Sequence, residues 1–172
     1  MEEKKAMDTP KTGAQIILGI DPGYAITGWA VLEKNNQNLK LLNCGAIMSH
    51  KSLVHAERLN YLNQELTKII KKNQPQIMAV EELFFFKNLK TALKVAEARG
   101  VILMTGLKNN LEIREFTPLQ IKQALVGYGR AEKKQVQQMV KIILNLKEKI
   151  KLDDVADAAA VAITCANTTC QI

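Results

Sequence analysis

The fold is decided by the stretch Ile16-Ile17-Leu18-Gly19-Ile20-Asp21-Pro22-Gly23. Such an aliphatic run is typical of a strand that is buried on both faces of a sheet. Pro22-Gly23 ends the run with a turn, which places Asp21 at the rim of an interior strand. A carboxylate at such a rim is costly unless it is hydrogen-bonded, paired or bound to a metal ion. Asp21 is therefore either a turn-capping residue or a ligand, and the rest of the chain must decide between them.

The composition indicates an ordinary globular protein. The chain has 172 residues, 47% of them hydrophobic and 24% charged, which is enough for one domain with a sizeable core. No apolar run is long enough to span a bilayer and the N-terminus lacks a signal-peptide core, so we expect a cytoplasmic location.

The cysteines Cys44, Cys165 and Cys170 lack CxxC spacing, which favours reduced thiols. His50 and His55 match no zinc pattern with Cys44 and are expected at surface or helix-start positions.

The chain is basic, and the excess charge is local. Lys and Arg exceed Asp and Glu by 24 to 17, which gives a net charge of +7 and favours a polyanionic partner. Between residues 122 and 151 the only acids are Glu132 and Glu148, and the basic residues are Lys122, Arg130, Lys133, Lys134, Lys141, Lys147, Lys149 and Lys151. This segment is either a solvated helix face or a surface that binds nucleic acid.

Hydrophobic periodicity and turn residues predict an alternation of strands and helices in one domain. Strands are expected at 15–21, 27–33, 39–48, 76–81 and 112–116. Helices are expected at 52–72, 89–107, 117–126, 131–146 and from 153 onward. In the second helix the residues predicted to face inward are Leu89, Leu93, Ala96, Gly100, Leu103 and Leu107. Residues 15–166 are expected to form the domain, with 1–14 as a loosely attached or disordered tail and 167–172 as a C-terminal tail.

Acidic residues stand at the predicted ends of interior elements. Asp21 and Glu81 each end an apolar strand, and a connection through a meander and a helix allows these two strands to lie parallel and adjacent. Asp154 and Asp157 are three residues apart and share one face at the start of an alanine-rich helix that is apolar on most sides. Ligands commonly bind where the carboxyl ends of such strands open on a crevice.

Four carboxylates in one crevice would repel one another unless cations were bound between them. Oxygen ligands without nearby His or Cys point to Mg²⁺ or Mn²⁺. Two such ions, about 3.5–4 Å apart, can clamp the attacking and leaving oxygens of a phosphodiester.

Alternatives remain open for several of these acids. Glu82 is the alternative to Glu81, although it points to the opposite face if the strand continues. Asp153 is expected to be a helix cap rather than a ligand. Asp154 can be explained by favourable interaction with the helix dipole. Asp157 is harder to explain without a partner, because it lies among Val, Ala and Ile residues.

Four blocks of the sequence together resemble the RuvC family of bacterial Holliday-junction resolvases. They are Gly-Ile-Asp-Pro-Gly at 19–23, Ala-Val-Glu-Glu-Leu-Phe at 79–84, Gly-Arg-Ala-Glu-Lys-Lys-Gln-Val at 129–136 and Asp-Val-Ala-Asp-Ala at 154–158. The resemblance implies an α/β, ribonuclease-H-like fold with a mixed five-stranded sheet flanked by helices. It also implies a homodimer that binds a four-way DNA junction and nicks two strands of like polarity, with RuvA and RuvB as partners.

The resemblance assigns roles to individual residues of this chain. It implies that the acids which hold two Mg²⁺ ions per active site, with Mn²⁺ as a substitute, are Asp21, Glu81, Asp154 and Asp157. It implies that Lys133 acts at the scissile phosphate and that Lys122 and Phe84 contact DNA. Phe85 and Phe86 follow directly, so the ring that stacks on a base is left open. The basic run adds Arg130 and Lys134 as candidate DNA contacts.

The sequence therefore predicts a Mg²⁺-dependent, structure-selective endodeoxyribonuclease that resolves Holliday junctions by paired nicks in recombination and repair. A first alternative is another ribonuclease-H-like metal nuclease that acts on RNA ends or RNA–DNA hybrids. A second is a non-catalytic nucleic-acid-binding module whose acids are structural.

Overall fold

Strand β1 (Gln15–Asp21) lies at the centre of a mixed five-stranded sheet. The structure, a computed structural model, describes residues 13–83 and 89–168, with the backbone alone for 89–91. β2 (Ile26–Asn35) pairs antiparallel with β1, and β3 (Asn38–Met48) pairs antiparallel with β2. On the other side of β1, β4 (Ile77–Glu81) and then β5 (Glu112–Phe116) run parallel to it. The strand order β3-β2-β1-β4-β5 confirms the predicted sheet.

The helices of the described residues follow the predicted order, with shifts at their ends. They are α1 (His55–Asn73), α2 (Leu89–Lys108), α3 (Pro118–Val126), α4 (Lys133–Ile143) and α5 (Asp153–Asn167). α1 begins three residues later than predicted because Val54 is its N-cap, with the Val54 backbone N–H donating to Glu57 at 3.0 Å. α4 is shorter than predicted because Glu132 caps its start, while Asn145, with φ of 49°, lies just beyond its end.

Each face of the sheet is covered by its own helices. Ile17 and Ala79 pack with α3, α4 and α5, whereas Leu18 and Val80 pack with α1 and α2. Successive residues of a strand alternate between faces, so Asp21 continues the phase of Ile17 and Glu81 continues that of Ala79. Both acids therefore project toward the face that carries α5.

Two glycines let α5 approach the sheet more closely than a side chain would allow. A Cβ added at Gly19 in β1 would overlap the carbonyl oxygen of Ala158, and one added at Gly28 in β2 would overlap that of Asp154. The segment of α5 from Val155 to Ala166 is almost wholly buried, consistent with its apolar composition. This contact fixes the first turn of α5 beside the end of β1, because Gly28 is the register partner of Asp21.

The predicted inward face of α2 is wrong at four positions. Leu93 is 66% exposed and Leu107 is 64% exposed, while Ala96 and Gly100 also face solvent. Leu103 is half-buried against the core, and the side chain of Leu89 lies outside the described residues. The buried face of α2 is instead formed by Ala92, Ala98, Ile102, Thr105 and Gly106. No helix among the described residues is long and apolar enough to cross a membrane.

Candidate active site

Asp21 and Glu81 end two neighbouring parallel strands. β1 and β4 are in register up to the pair Ile20 and Val80, and each acid follows directly. The two carboxyl groups are close enough to shift each other's pKa. Two acids that are far apart in the sequence therefore meet at one edge of the sheet, as predicted from the ends of their strands.

The other two predicted acids reach the same edge from α5. Asp154 lies in the first turn, where its backbone contacts Gly28, and its charge acts on both Asp21 and Asp157. Asp157 is one turn further along and acts electrostatically on Asp21 and Glu81. The structure thus brings all four predicted acids into one electrostatic cluster.

Burial and mutual repulsion favour the protonated forms of Asp21 and Glu81. Burial, followed by the charges of Glu81, Asp157 and Asp154, raises the pKa of Asp21 to about 8. Burial and the charge of Asp157 raise the pKa of Glu81 to about 7, although the hydrogen bond with Asp21 and the charge of Lys133 oppose this. Asp21 and Glu81 therefore hold a proton between them near neutral pH.

Lys133, the first residue of α4, supplies positive charge to the cluster. Its Nζ lies 2.8 Å from Asp157 Oδ2 and 3.3 Å from Asp153 Oδ2. Burial raises the pKa of the Asp157 carboxyl, an effect that the hydrogen bond from Lys133 opposes. The hydrogen bonds and charges of Asp157 and Asp153 raise the pKa of Lys133 despite its partial desolvation, so this side chain is fully cationic.

The donor set fits a hard divalent cation. In the described residues, 13–83 and 89–168, no three His, Cys, Asp or Glu side chains form a ready metal site as they stand. The repulsion within the cluster is instead reduced by the Lys133 ammonium at Asp157 and by the raised pKa values of Asp21 and Glu81, which favour their neutral forms. Carboxylate oxygens without His or Cys are the ligands that Mg²⁺ and Mn²⁺ prefer, and such a cation would relieve the same repulsion.

A cleft of about 240 Å³ opens beside the acids. Its polar lining consists of Glu81, Asp157, Lys122 and Lys133, and its apolar lining comes from α3, α4 and α5. Lys122 is half-buried on α3, and its charge acts on Glu81. Carboxylates and ammonium groups therefore share one opening, an arrangement that suits an anionic substrate approaching bound cations.

The remaining predicted DNA contacts lie further out. Arg130 and Lys134 are exposed on either side of the start of α4. Phe84, Phe85 and Phe86 lie outside the described residues, so the predicted base-stacking ring stays a prediction.

Glu82, the alternative to Glu81, is half-buried, and its backbone N–H donates to the carbonyl oxygen of Phe116 at 2.8 Å.

Asp153 does not cap α5 as expected. Leu152 is the N-cap, and Asp153 is the first helical residue. The Asp153 carboxylate instead accepts a 2.8 Å hydrogen bond from Gln137 Nε2 and pairs with Lys133. Sequence reasoning missed the role of Gln137 altogether. Its spacing of four residues from Lys133, the same as that from Asp153 to Asp157, was the available signal.

His50 and His55 have local partners, as expected for a surface and a helix-start residue. His50 Nδ1 lies 2.6 Å from Ser52 Oγ. His55 Nε2 lies 2.7 Å from Glu97 Oε2, and its Nδ1 lies 3.0 Å from the hydroxyl of Tyr24. The contacts of His55 link the loop after Asp21 to α1 and α2.

A family model described as "Crossover junction endodeoxyribonuclease RuvC" matches residues 17–165. The matched segment includes all four acids and nearly all of the described fold. The chain belongs to the RuvC family. This confirms the resemblance seen in the sequence, and the family's name identifies its members as endonucleases.

RuvC proteins of known sequence and structure resemble the chain over most of its length. It is 53% identical to RuvC of Caldicellulosiruptor saccharolyticus over 148 residues, which are 86% of this chain and 89% of that protein. It is 50% identical to RuvC of Halothermothrix orenii over 153 residues, with coverages of 89% and 93%. The structure of Thermus thermophilus RuvC in complex with Holliday junction substrate matches with a TM-score of 0.82 and 32% identity, covering 87% and 92%. These matches confirm the predicted α/β, ribonuclease-H-like fold.

Proposed function

We propose that this RuvC-family chain is an endodeoxyribonuclease that binds four-way DNA junctions and resolves them by paired, symmetric nicks. Relatives that are about half identical to it are named crossover junction endodeoxyribonucleases, and the Thermus thermophilus protein has been solved with a Holliday junction. The observation that carries the proposal is the cluster of Asp21, Glu81, Asp154 and Asp157 beside a cleft that two lysines line. Recombination and DNA repair are the processes that produce this substrate.

We assign the four acids as ligands of divalent cations, with Mg²⁺ as the preferred ion, Mn²⁺ as a substitute and two ions in each active site. When bound, such ions stabilise the attacking and leaving oxygens of a phosphodiester. Asp21 and Glu81 would hold such an ion through their ionised carboxylates, so proton binding at these two acids would compete with cation binding. The close approach of α5 to β2 at Gly28, the register partner of Asp21, keeps Asp154 close to Asp21.

We assign the basic residues to the DNA. Lys133 is positioned to neutralise the scissile phosphate, because its ammonium lies in the acid cluster and lines the cleft. Lys122 lines the same cleft and is assigned to a nearby phosphate, while Arg130 and Lys134 contact the backbone from the exposed start of α4. Phe84 is retained as the candidate for stacking on an unpaired base near the crossover.

A homodimer is proposed because two symmetric cuts require two active sites. The exposed stripe of α2 supports it: Leu93, Met104 and Leu107 are 66%, 45% and 64% exposed, and a Cβ added at Gly100 would meet nothing within 4 Å. Leu93, Gly100 and Leu107 repeat every seven residues, the spacing of a helix-packing seam. The small residue in the middle would allow two copies of α2 to approach closely across a two-fold axis.

The wider setting is also proposed. RuvA and RuvB are the expected partners, since junctions must be moved to a site where they are cut. The cytoplasm is the expected location, because the DNA of bacteria lies there. Residues 15–166 are proposed to form the single nuclease domain, with 1–14 and 167–172 as tails, although α5 continues to Asn167.

Junction cleavage with and without divalent cations tests the proposal. The chain should make paired nicks in a synthetic four-way junction with Mg²⁺, and it should leave linear duplex intact. Asp21→Asn should abolish cutting while preserving junction binding, because the fold and the basic cleft remain. Cleavage of RNA–DNA hybrids in place of junctions would favour another ribonuclease-H-like nuclease. Junction binding without turnover in any divalent cation would favour a non-catalytic binding module.

A further inference from the structure

Two pairs of side chains face each other across the contact between α4 and α5. Lys133 and Gln137 are one turn apart on α4, and Asp153 and Asp157 are one turn apart on α5. Lys133 Nζ contacts both acids, at 2.8 Å from Asp157 and 3.3 Å from Asp153. Gln137 Nε2 donates to Asp153 Oδ1 at 2.8 Å, so each oxygen of the Asp153 carboxylate has its own partner.

The two acids differ in exposure. The Asp157 side chain is 28% exposed and belongs to the buried cluster, whereas that of Asp153 is 64% exposed and lies at the rim. Lys133, with its side chain 51% exposed, spans the distance between them. A cation at Asp157 would repel the Lys133 ammonium, so the lysine keeps a charged partner only if a second carboxylate remains available.

We infer that Asp153, oriented by Gln137, is a positioning residue that holds the Lys133 ammonium at the rim of the active site when a cation occupies Asp157. The inference rests on the proposed function, because it takes Asp157 as a cation ligand. Asp153 has two effects in this arrangement. It eases cation binding, since Lys133 can leave Asp157 without losing every charged partner, and it keeps Lys133 beside the position of the scissile phosphate.

The test is a titration of the free protein with Mn²⁺, followed by the loss of the electron paramagnetic resonance signal of the free ion. Asp153→Asn should raise the Mn²⁺ dissociation constant about three- to tenfold, because Lys133 then has Asp157 as its main charged partner and competes with the ion. Asp153→Glu should restore affinity to near that of the unaltered protein. Glu148→Gln, which removes an exposed acid between α4 and α5, should change affinity less than about twofold.

A double-mutant cycle separates positioning from simple loss of charge. In a Lys133→Met background, Asp153→Asn should change the Mn²⁺ dissociation constant less than about twofold, because the lysine that Asp153 holds is gone. An equal effect of Asp153→Asn with and without Lys133 would overturn the inference and show that the Asp153 charge acts on the ion directly.

Cleavage gives a second readout. With saturating Mg²⁺ and the protein in excess over the junction, the single-turnover rate of Asp153→Asn should fall about three- to tenfold, while the dissociation constant for the junction stays within about twofold. Gln137→Ala should also raise the Mn²⁺ dissociation constant and lower the single-turnover cleavage rate, in both cases by less than Asp153→Asn does. If Asp153→Asn matches the unaltered protein in both readouts while Asp157→Asn loses Mn²⁺ binding, this inference fails and the proposed function stands. If the unaltered protein binds no Mn²⁺, both fail.

Discussion

The proposed role of Asp21 as a cation ligand opposes the stability of the cation-free fold. Its pKa is raised to about 8 in the folded, cation-free protein, so the folded state holds a proton that the unfolded chain releases above pH about 4. Stability from this residue therefore falls as the pH rises from about 4 to 8 and is constant above that. Asp21→Asn should raise the free energy of unfolding by roughly 0.5–2 kcal/mol at pH 8 in EDTA, with little change at pH 4. Urea denaturation at both values measures this.

Addition of Mg²⁺ should reverse the order of the two proteins. The unaltered protein should gain stability from Mg²⁺ at pH 8 and less at pH 6, where the proton of Asp21 competes with the cation. Asp21→Asn should gain little at either pH. If the variant is less stable than the unaltered protein at pH 8 in EDTA, then Asp21 is not the strained, desolvated acid that its surroundings indicate.

Lys122 offers a test of the proposal that the basic side of the cleft binds DNA. Lys122→Ala should weaken junction binding for all sequences alike, because a phosphate contact carries no base information. The slope of the logarithm of the association constant against the logarithm of salt concentration should fall by about 1. Lys72→Ala is the control, since Lys72 lies in the last turn of α1, at the opposite edge of the sheet from the acids. Equal slopes for the two variants would place the junction elsewhere.

At the scale of elements, sequence patterns predicted strands better than the partners of helices. β1 and β5 have the predicted bounds because residues that favour turns and helix starts, Pro22-Gly23 and Thr117-Pro118, directly follow them. α2 was assigned the wrong inward face, because periodicity reveals an apolar stripe without revealing what covers it. Convergence of the four acids was predictable from strand ends and a helix start. The contacts of Lys133 with α5 were not, because they depend on how α4 packs.

The close approach of α5 to the sheet at Gly28 can be tested by a substitution. Gly28→Ala should displace the first turn of α5, because the added Cβ would overlap the carbonyl oxygen of Asp154. We expect a loss of about 1–3 kcal/mol in the free energy of unfolding, measured by urea denaturation. We also expect cleavage to fall about 100-fold in the folded variant, because Asp154 and Asp157 would move relative to Asp21.

Gly45→Ala is the matched control for this displacement. Its added Cβ would meet the Trp29 ring at 2.9 Å, in the same sheet but away from the acids. Gly45→Ala should lower the free energy of unfolding by a comparable amount. The folded fraction should cleave junctions at the rate of the unaltered protein. If Gly28→Ala also keeps its cleavage rate, the approach of α5 serves packing alone.

At the scale of the molecule, the carboxyl ends of β1 and β4 place Asp21 and Glu81 at one edge of the sheet. Lys122 of α3 and Lys133 at the start of α4 flank the acids at that edge, whereas the exposed stripe of α2 lies on the opposite face of the sheet from α5. In the proposed homodimer, a contact through α2 would therefore leave both acid clusters free to meet the DNA. This separation allows association and chemistry to be disrupted independently.

In the proposed homodimer, Leu107→Glu should separate the two copies without altering the acid cluster, because a charge on the apolar stripe loses its hydration when the stripe is covered. The dimer dissociation constant, measured by analytical ultracentrifugation, should rise about 100-fold. On a supercoiled plasmid with an extruded cruciform, paired cuts give linear DNA and single cuts give nicked circles, so the variant should shift the product to nicked circles. Leu42→Glu, at a leucine that is 43% exposed on β3, should keep the dimer and the linear product. A monomeric unaltered protein, or a Leu107→Glu variant that remains dimeric, would contradict the proposed role of α2.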